Sequence, residues 1–336
     1  MPKALALISG GLDSLLATKL ILDQQIVVEG INFFTGFTGD HDYPLGKVSS
    51  DKNGARYTAD QLGIKLHLVD AVQEFKPILL NPQHGYGSNL NPCLDCKLFM
   101  ILQAKIWMEK HGFDFLITGE VLGQRPKSQR KDTLPIASKI TNNLIVRPLS
   151  AKLLPETLPE KNGWIKRELF CGISGRERKK QIELANKYGF KKFSQPSGGC
   201  LLTDVNFCRR LNDLLNHKVK RDYTADDILL LRIGRHLRIS GDLKIVVGRN
   251  EMENQFMQQH SGEQYLAQAI DYPGALVLLD GEATLANLEL TAKIAAYFSK
   301  AREQTLVRVS IKKGGIEKIL DVIPLAAEGI SPNWYL

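Results

Sequence analysis

Ser9-Gly10-Gly11-Leu12-Asp13-Ser14, near the amino terminus, has the composition of an anion-binding loop. Adjacent glycines let the backbone turn sharply and aim several N–H groups at one point, and two serine hydroxyls add donors where a helix begins. Phosphate is the ligand such a loop takes. It lacks the GK[ST] ending of a Walker A loop and the spacing of GxGxxG, and its plain alternative is a glycine turn followed by an Asp helix cap. A second chemical set is Cys93 and Cys96 in NPCLDCK. With no secretion signal and five cysteines in all, a disulfide framework is disfavoured, and a CxxC points to metal or redox chemistry. At the start of a helix, both thiols are expected to have lowered pKa values. Thr118-Gly119-Glu120, opening into the Gln/Arg/Lys/Ser run 121–129, is a third candidate, its bland reading being a solvated basic loop.

These residues need elements to hold them. Ala4–Ser9 reads as a buried parallel strand and Leu15, Leu16, Leu20 and Ile21 as the apolar face of the helix after it. Ile26–Phe34 and Ile64–Val69 read as strands around a helix over Asn53–Leu62, Cys93–Lys110 as a long helix, Phe113–Thr118 and Leu144–Pro148 as further strands. Alternation of this kind specifies an α/β domain with a parallel sheet, ligands sitting at the carboxyl ends of its strands. Residues 151–192 form a basic tail with one helix, Arg176–Tyr188, closed by the turn Ser197-Gly198-Gly199-Cys200. Beyond residue 205 the texture becomes that of a smaller α+β domain, with its last strand at Leu306–Ile311. The expected domains are therefore 1–204 and 205–336.

SGGLDS resembles the SGGxDS signature of the PP-loop ATP pyrophosphatases (adenine nucleotide alpha hydrolase-like fold), which adenylate a carbonyl oxygen and release pyrophosphate. The resemblance implies ATP and Mg2+ as cofactors. Ser9, Gly10, Gly11, Asp13 and Ser14 would cradle pyrophosphate, with Asp13 holding the magnesium. The second strand's end, Ile31–Thr35, would receive adenine, which brings in Phe34, although Phe33 and Phe34 by themselves read as core. Within this superfamily the NP-led cysteines, followed by a lone Cys200, resemble the tRNA-thiolating branch. Disulfide-type 2-thiouridine enzymes carry one cysteine in the first motif; the CxxC here is similar to the iron-sulfur thiolases, in which three cysteines hold a [4Fe-4S] cluster. Cys93, Cys96 and Cys200 are the corresponding residues, acting with Asp13 in catalysis. A cysteine persulfide relay is the second reading of the trio, and a structural zinc completed by His84 or His111 the third. GQRPxSQ is similar to a segment of the same thiolases, implying Gly119, Arg125 and Gln129 near the nucleotide. Cys171 and Cys208 read as buried apolar residues; His41, His67, His217, His236 and His260 lack ligand spacing.

Length and charge agree with such a reading. The 336 residues suit two domains, and 43% hydrophobic with 24% charged residues exclude disordered and fibrous classes. No apolar run is long enough to span a membrane, so a cytoplasmic location is expected. The net charge of +8 is local: 17 Lys/Arg against 6 Asp/Glu fall within 121–192, the footprint of a polyanion such as RNA. Arg232–Asn254, through its GRxxR and VGRNxxEN pieces, resembles the RNA-binding module of ribosome quality-control proteins, implying Arg232, Arg235, Arg238 and Arg249 as phosphate contacts; a generic α+β dimerisation domain is the alternative.

The expectation is an ATP-dependent tRNA sulfurtransferase that replaces a uridine carbonyl oxygen with sulfur supplied as sulfide or by a cysteine desulfurase. The alternatives are a PP-loop ligase using an amine and a non-catalytic RNA-binding quality-control factor.

Overall fold

The computed structural model describes residues 1–37, 54–190, 193 and 200–336. His41, Asn53 and the Ser197-Gly198-Gly199 part of the expected turn lie outside them. The chain divides into two compact units, Met1–Thr203 and Asp204–Leu336.

In the first unit, β1 (Lys3–Leu7), β2 (Val27–Phe34), β3 (Leu66–Asp70), β4 (Phe115–Ile117) and β5 (Ile145–Val146) form one sheet of order β3-β2-β1-β4-β5. All four pairings are parallel. Central β1 carries Ala4, Leu5 and Ala6 essentially without solvent exposure, as a strand covered on both faces must. The helices of this unit are α1 (Leu12–Leu22), α2 (Ala55–Leu62), α3 (Val72–Leu80), α4 (Cys93–His111), α5 (Leu134–Ile140), α6 (Leu158–Lys161) and α7 (Lys179–Lys187). Leu12, Leu15, Leu16, Leu20 and Ile21 of α1 join Ile8, Phe115 and Ile117 in the core. Burial of each such leucine is worth about 1.5–3 kcal/mol. Three helices were not expected: α3 contains Pro77, which reads as a breaker, and α5 and α6 are only seven and four residues long. Because the strands are parallel, the loops that could do chemistry leave one edge of the sheet.

Two elements lock that edge. Glu120, just past β4, and Arg147, just past β5, form a buried ion pair, Arg147 Nε donating to Glu120 Oε2 over 2.9 Å with only 5% and 2% of the side chains exposed. The same guanidinium donates to Ser138 Oγ at 3.0 Å and the Leu134 carbonyl at 3.1 Å, tying α5 to the strand ends. Burial alone would raise the Glu120 carboxyl; the Arg147 and Lys97 charges outweigh it and hold it below the usual range. Glu120→Gln should leave a buried guanidinium without a counter-charge, costing about 3–5 kcal/mol, read as a lowered denaturant midpoint. As the native carboxyl is the stronger acid, its contribution is present above the unfolded pKa and lost as pH falls through the folded value; the variant should lack that part of the acid dependence.

The second unit has β6 (Arg235–Arg238), β7 (Leu243–Val247), β8 (Tyr265–Ala269), β9 (Val277–Gly281), β10 (Val307–Lys313) and β11 (Ile316–Val322) in one antiparallel sheet of order β11-β10-β8-β9-β7-β6. Its helices are α8 (Val205–His217), α9 (Ala225–Leu230), α10 (Glu251–His260) and α11 (Leu285–Tyr297). α11 packs Leu288, Ala292, Ile294, Ala295 and Ala296 into a core with Leu237, Ile245, Val277, Leu279 and Val309. Leu306–Ile311 is not the last strand: β11 follows it, an edge strand exposed along nearly its whole length. It has no apolar face to announce it.

Candidate active site

The SGGLDS loop leaves β1 and enters α1. Gly10 takes φ 78°, the left-handed conformation that favours glycine. Gly11 is the N-cap of α1. Ser9 N donates to Ser14 Oγ at 3.3 Å, and Ser14 Oγ donates to the Gly11 carbonyl at 2.9 Å. The loop is thus closed on itself at the carboxyl edge of the sheet. Phe34, at the end of β2, is buried, 3% exposed.

Across from the loop lies Gly119. A Cβ there would stand 2.5 Å from Ser14 N and 2.6 Å from Asp13 C, so β4's end and the phosphate loop touch backbone to backbone. The chain then swings through 121–133. Leu122 N donates to Ser150 Oγ at 2.9 Å and Gly123 N to the Gln129 carbonyl at 2.7 Å. Gln124, which sequence reasoning passed over in favour of its neighbours, donates from Nε2 to Asp13 Oδ2 at 2.8 Å. Gln129 is buried at 8% exposure, and its Oε1 has no hydrogen-bond partner. Arg125 is exposed.

The cysteines flank the other end of that loop. Cys93 opens α4 and donates from Sγ to Ser128 Oγ at 3.7 Å. Cys96 lies one turn on, its N–H donating to the Pro92 carbonyl at 2.8 Å. Its thiol is pushed up to about 12, first by burial and then by Cys200 and Cys93, while Lys97 acts the other way. This reverses the expectation for Cys96: its backbone N–H is already spent inside the helix, and desolvation outweighs the helix end. Cys200, distant in sequence, is near enough to Cys96 for its charge to act on that thiol. Around Cys200, Leu201 N donates to the Phe37 carbonyl at 2.9 Å and Asn89 Nδ2 to the Thr203 carbonyl at 2.8 Å. The segment is so fixed to the β2 end and to the loop before α4.

Three thiols are a donor set that an iron-sulfur cluster takes. Among the described residues, these three included, no three His, Cys, Asp or Glu side chains are grouped so as to hold one metal ion. His84, the fourth ligand in the zinc reading, has Nδ1 2.7 Å from Asp95 Oδ1, and its backbone N–H donates to Oδ2 at 2.9 Å. His111 stacks on Trp107 with ring centroids 4.2 Å apart. Cys171 lines a separate cavity with Lys180 and Leu184, and Cys208 is buried in α8.

α7 adds two residues that its basic composition hid. Tyr188, capping its carboxyl end, donates to Asp23 Oδ2 at 2.6 Å beyond the end of α1, while Gly175 N, before its start, donates to the Leu122 carbonyl at 2.8 Å. The two packed helices therefore run the same way, and the first turn of α7 lies beside that of α1. Gln181 there has no exposure and neither amide atom paired, and Arg178 Nε is buried without a partner. Periodicity could have flagged them: Arg178, Gln181, Ala185 and Tyr188 share one helix face.

In the second unit the motif arginines serve the fold. Arg238 binds Asp213 through Nε and a terminal nitrogen at 2.9 and 2.8 Å. Arg249 binds Glu253, whose Oε2 also accepts from Arg249 N at 2.8 Å and Gly234 N at 3.1 Å. Arg235 lies over the Phe298 ring at 5.6 Å. Arg232 is brought down to about 10 by burial. Asn250 caps α10 by accepting from Glu253 N, and Asn254 Oδ1 accepts from Leu276 N at 3.0 Å. VGRNxxEN is thus a capping and cross-bracing motif; of the expected phosphate contacts, Arg238 is bound to a carboxylate and Arg232 is half-buried.

Comparison with known proteins places each half. Residues 1–152 match the family described as Thiamine biosynthesis protein (ThiI), and residues 234–335 the family described as NFACT protein RNA binding domain. A tRNA-specific 2-thiouridylase MnmA of Treponema denticola is 31% identical over 126 residues, 35% of this chain and 32% of that one. A probable tRNA sulfurtransferase of Acholeplasma laidlawii is 30% identical over 147 residues, 44% of this chain and 34% of that one. The chain thus spans about a third of the length of these curated relatives. A 4-thiouridine synthetase in complex with RNA and ATP overlaps 57% of this chain and 54% of its own at 20% identity and TM-score 0.35. No helix among the described residues is long and apolar enough to cross a membrane. Residues 1–152 are thus similar to the ThiI family and residues 234–335 to the NFACT RNA-binding domain.

Proposed function

We propose that this protein is an ATP-dependent tRNA sulfurtransferase. The observation that carries the proposal is the continuity of one loop: Gln124 holds Asp13 of the phosphate loop and, four residues on, Ser128 holds Cys93. Nucleotide and sulfur chemistry are thereby served from the same sheet edge, as carbonyl activation followed by sulfur attack requires. Both family matches and the relatives' names support it.

Each residue's role follows from its place. Backbone N–H groups of Gly10 and Gly11, with Ser9 and Ser14, receive the phosphates at the α1 amino end. Arg178 and Gln181 complete the anion side from α7. Asp13 would hold magnesium, whose chemistry when bound is to offset the negative charge on departing pyrophosphate. The uridine oxygen attacks the α-phosphorus and pyrophosphate departs; a sulfur nucleophile then displaces AMP, which carries that oxygen away. Cys93, Cys96 and Cys200 would hold a [4Fe-4S] cluster, whose chemistry when bound is to present sulfide from an iron without a protein ligand. Glu120 and Arg147 keep the strand ends rigid. The second unit and the basic 121–192 stretch bind the RNA. Sulfide or a desulfurase is the source of the sulfur, and the protein works in the cytoplasm.

The test is anaerobically prepared protein with unmodified tRNA, sulfide and magnesium, with and without ATP, followed by nuclease digestion and mass spectrometry. An ATP-dependent thiouridine is expected. AMP and pyrophosphate without any thionucleoside would move the reading to an amine-using ligase; neither product would leave an RNA-binding factor.

A further inference from the structure

Buried oxygens around the phosphate loop are left without donors in a pattern that the anion-binding groups do not explain. Asp13 Oδ2 accepts from Gln124 Nε2 at 2.8 Å, yet Asp13 Oδ1 and Gln124 Oε1, on the same two linked headgroups, are both buried and unpaired. Gln129 Oε1, buried on the same loop, is a third acceptor with nothing to accept. A buried carboxylate or amide oxygen left in this state is destabilising. Phosphate would worsen matters for all three, since it brings only more acceptors; what these oxygens lack is a positive charge. Basic side chains do not supply it: among the described residues no ion pair involves Asp13. On the α7 side the unpaired atoms are Arg178 Nε and both amide atoms of Gln181, a mixed set of donors and an acceptor.

We infer that Gln124 is a cation-binding residue: its side-chain carbonyl and Asp13 Oδ1 together supply the protein oxygens for the divalent ion that accompanies ATP. One carboxylate and one amide oxygen, with phosphates and water filling the rest, is a shell magnesium accepts. The hydrogen bond from Gln124 to Asp13 then has a second purpose. It fixes which carboxylate oxygen is turned away and which is free for the ion, so the site is set before nucleotide arrives. The Gly123–Gln129 main-chain bond at 2.7 Å pins the turn that carries Gln124, which makes its position a property of the loop and not of a free side chain. A trapped water donating to both oxygens is the rival, and it predicts no metal dependence.

The inference rests on the ATP reading of the loop, and the test separates the two. Mn2+ binding to the full chain is followed by electron paramagnetic resonance with and without α,β-methylene ATP, and binding of the same analogue is measured separately in EDTA. Gln124→Leu should weaken Mn2+ in the presence of the analogue by roughly tenfold while analogue binding in EDTA stays unchanged. Wild-type Mn2+ affinity in Gln124→Leu would overturn the inference and leave the ATP reading standing. A wild-type chain that binds no analogue at all would remove both.

Discussion

Gly119→Ala should abolish nucleotide activation while leaving the chain folded. The added methyl would sit 2.5 Å from Ser14 N and 2.6 Å from Asp13 C, against contact distances of about 3.5–4.0 Å. Neither obstacle is a side chain that can rotate away; both are main-chain atoms of the first turn of α1. β4 cannot yield either, because it is paired on one side with β1 and on the other with β5. What moves is the phosphate loop, by about 1 Å, and a displacement of that size at a reacting centre costs roughly a hundredfold. ATP–pyrophosphate exchange should therefore drop by at least about that factor, together with affinity for the ATP analogue, whereas the thiol trio and the second unit are untouched. Exchange at the wild-type rate would mean that the loop is not the nucleotide site.

Much of this arrangement was legible in the sequence because it is local. Strand, SGGLDS and helix follow one another without a gap, and the apolar runs of β1 and β2 state their burial directly. What could not be read depends on partners far away along the chain. Asp13 and Gln124 are 111 positions apart, and only the fold makes Gln124 more than one polar residue of a basic loop. The expectation that a helix start acidifies Cys96 failed for the same reason: the local rule holds for an exposed thiol, but burial and a cysteine from the other end of the domain outweigh it. In the second unit the VGRNxxEN piece marked the right module through residues that cap α10 and brace β9, so its arginines were taken for contacts when several are braces. Pro77 concealed α3, and the two-sided exposure of β11 concealed a strand, since period-two alternation requires one buried face.

Replacing Cys93, Cys96 or Cys200 singly with serine should cost sulfur transfer on the order of a thousandfold or more, as groups acting as a unit fail together. ATP–pyrophosphate exchange should stay within about threefold, because the loop that binds phosphate closes through its own serines and through Gly119, none of which leans on a thiol. Cys171→Ser and Cys208→Ser should leave transfer intact, the first residue lining a different cavity and the second lying in the other unit. The pattern across the trio separates the chemistries. A three-point mount needs every thiol, so all three variants fail alike and each loses iron from anaerobically purified protein. A persulfide relay needs a sulfur-bearing cysteine and a resolving one, so one of the three replacements would keep transfer and iron would be absent throughout. Cys96 is the informative position. Burial and two neighbouring thiols push its pKa up to about 12, which makes it a poor nucleophile unaided. Full transfer in Cys96→Ser would therefore exclude the three-thiol mount, whatever the other two variants did.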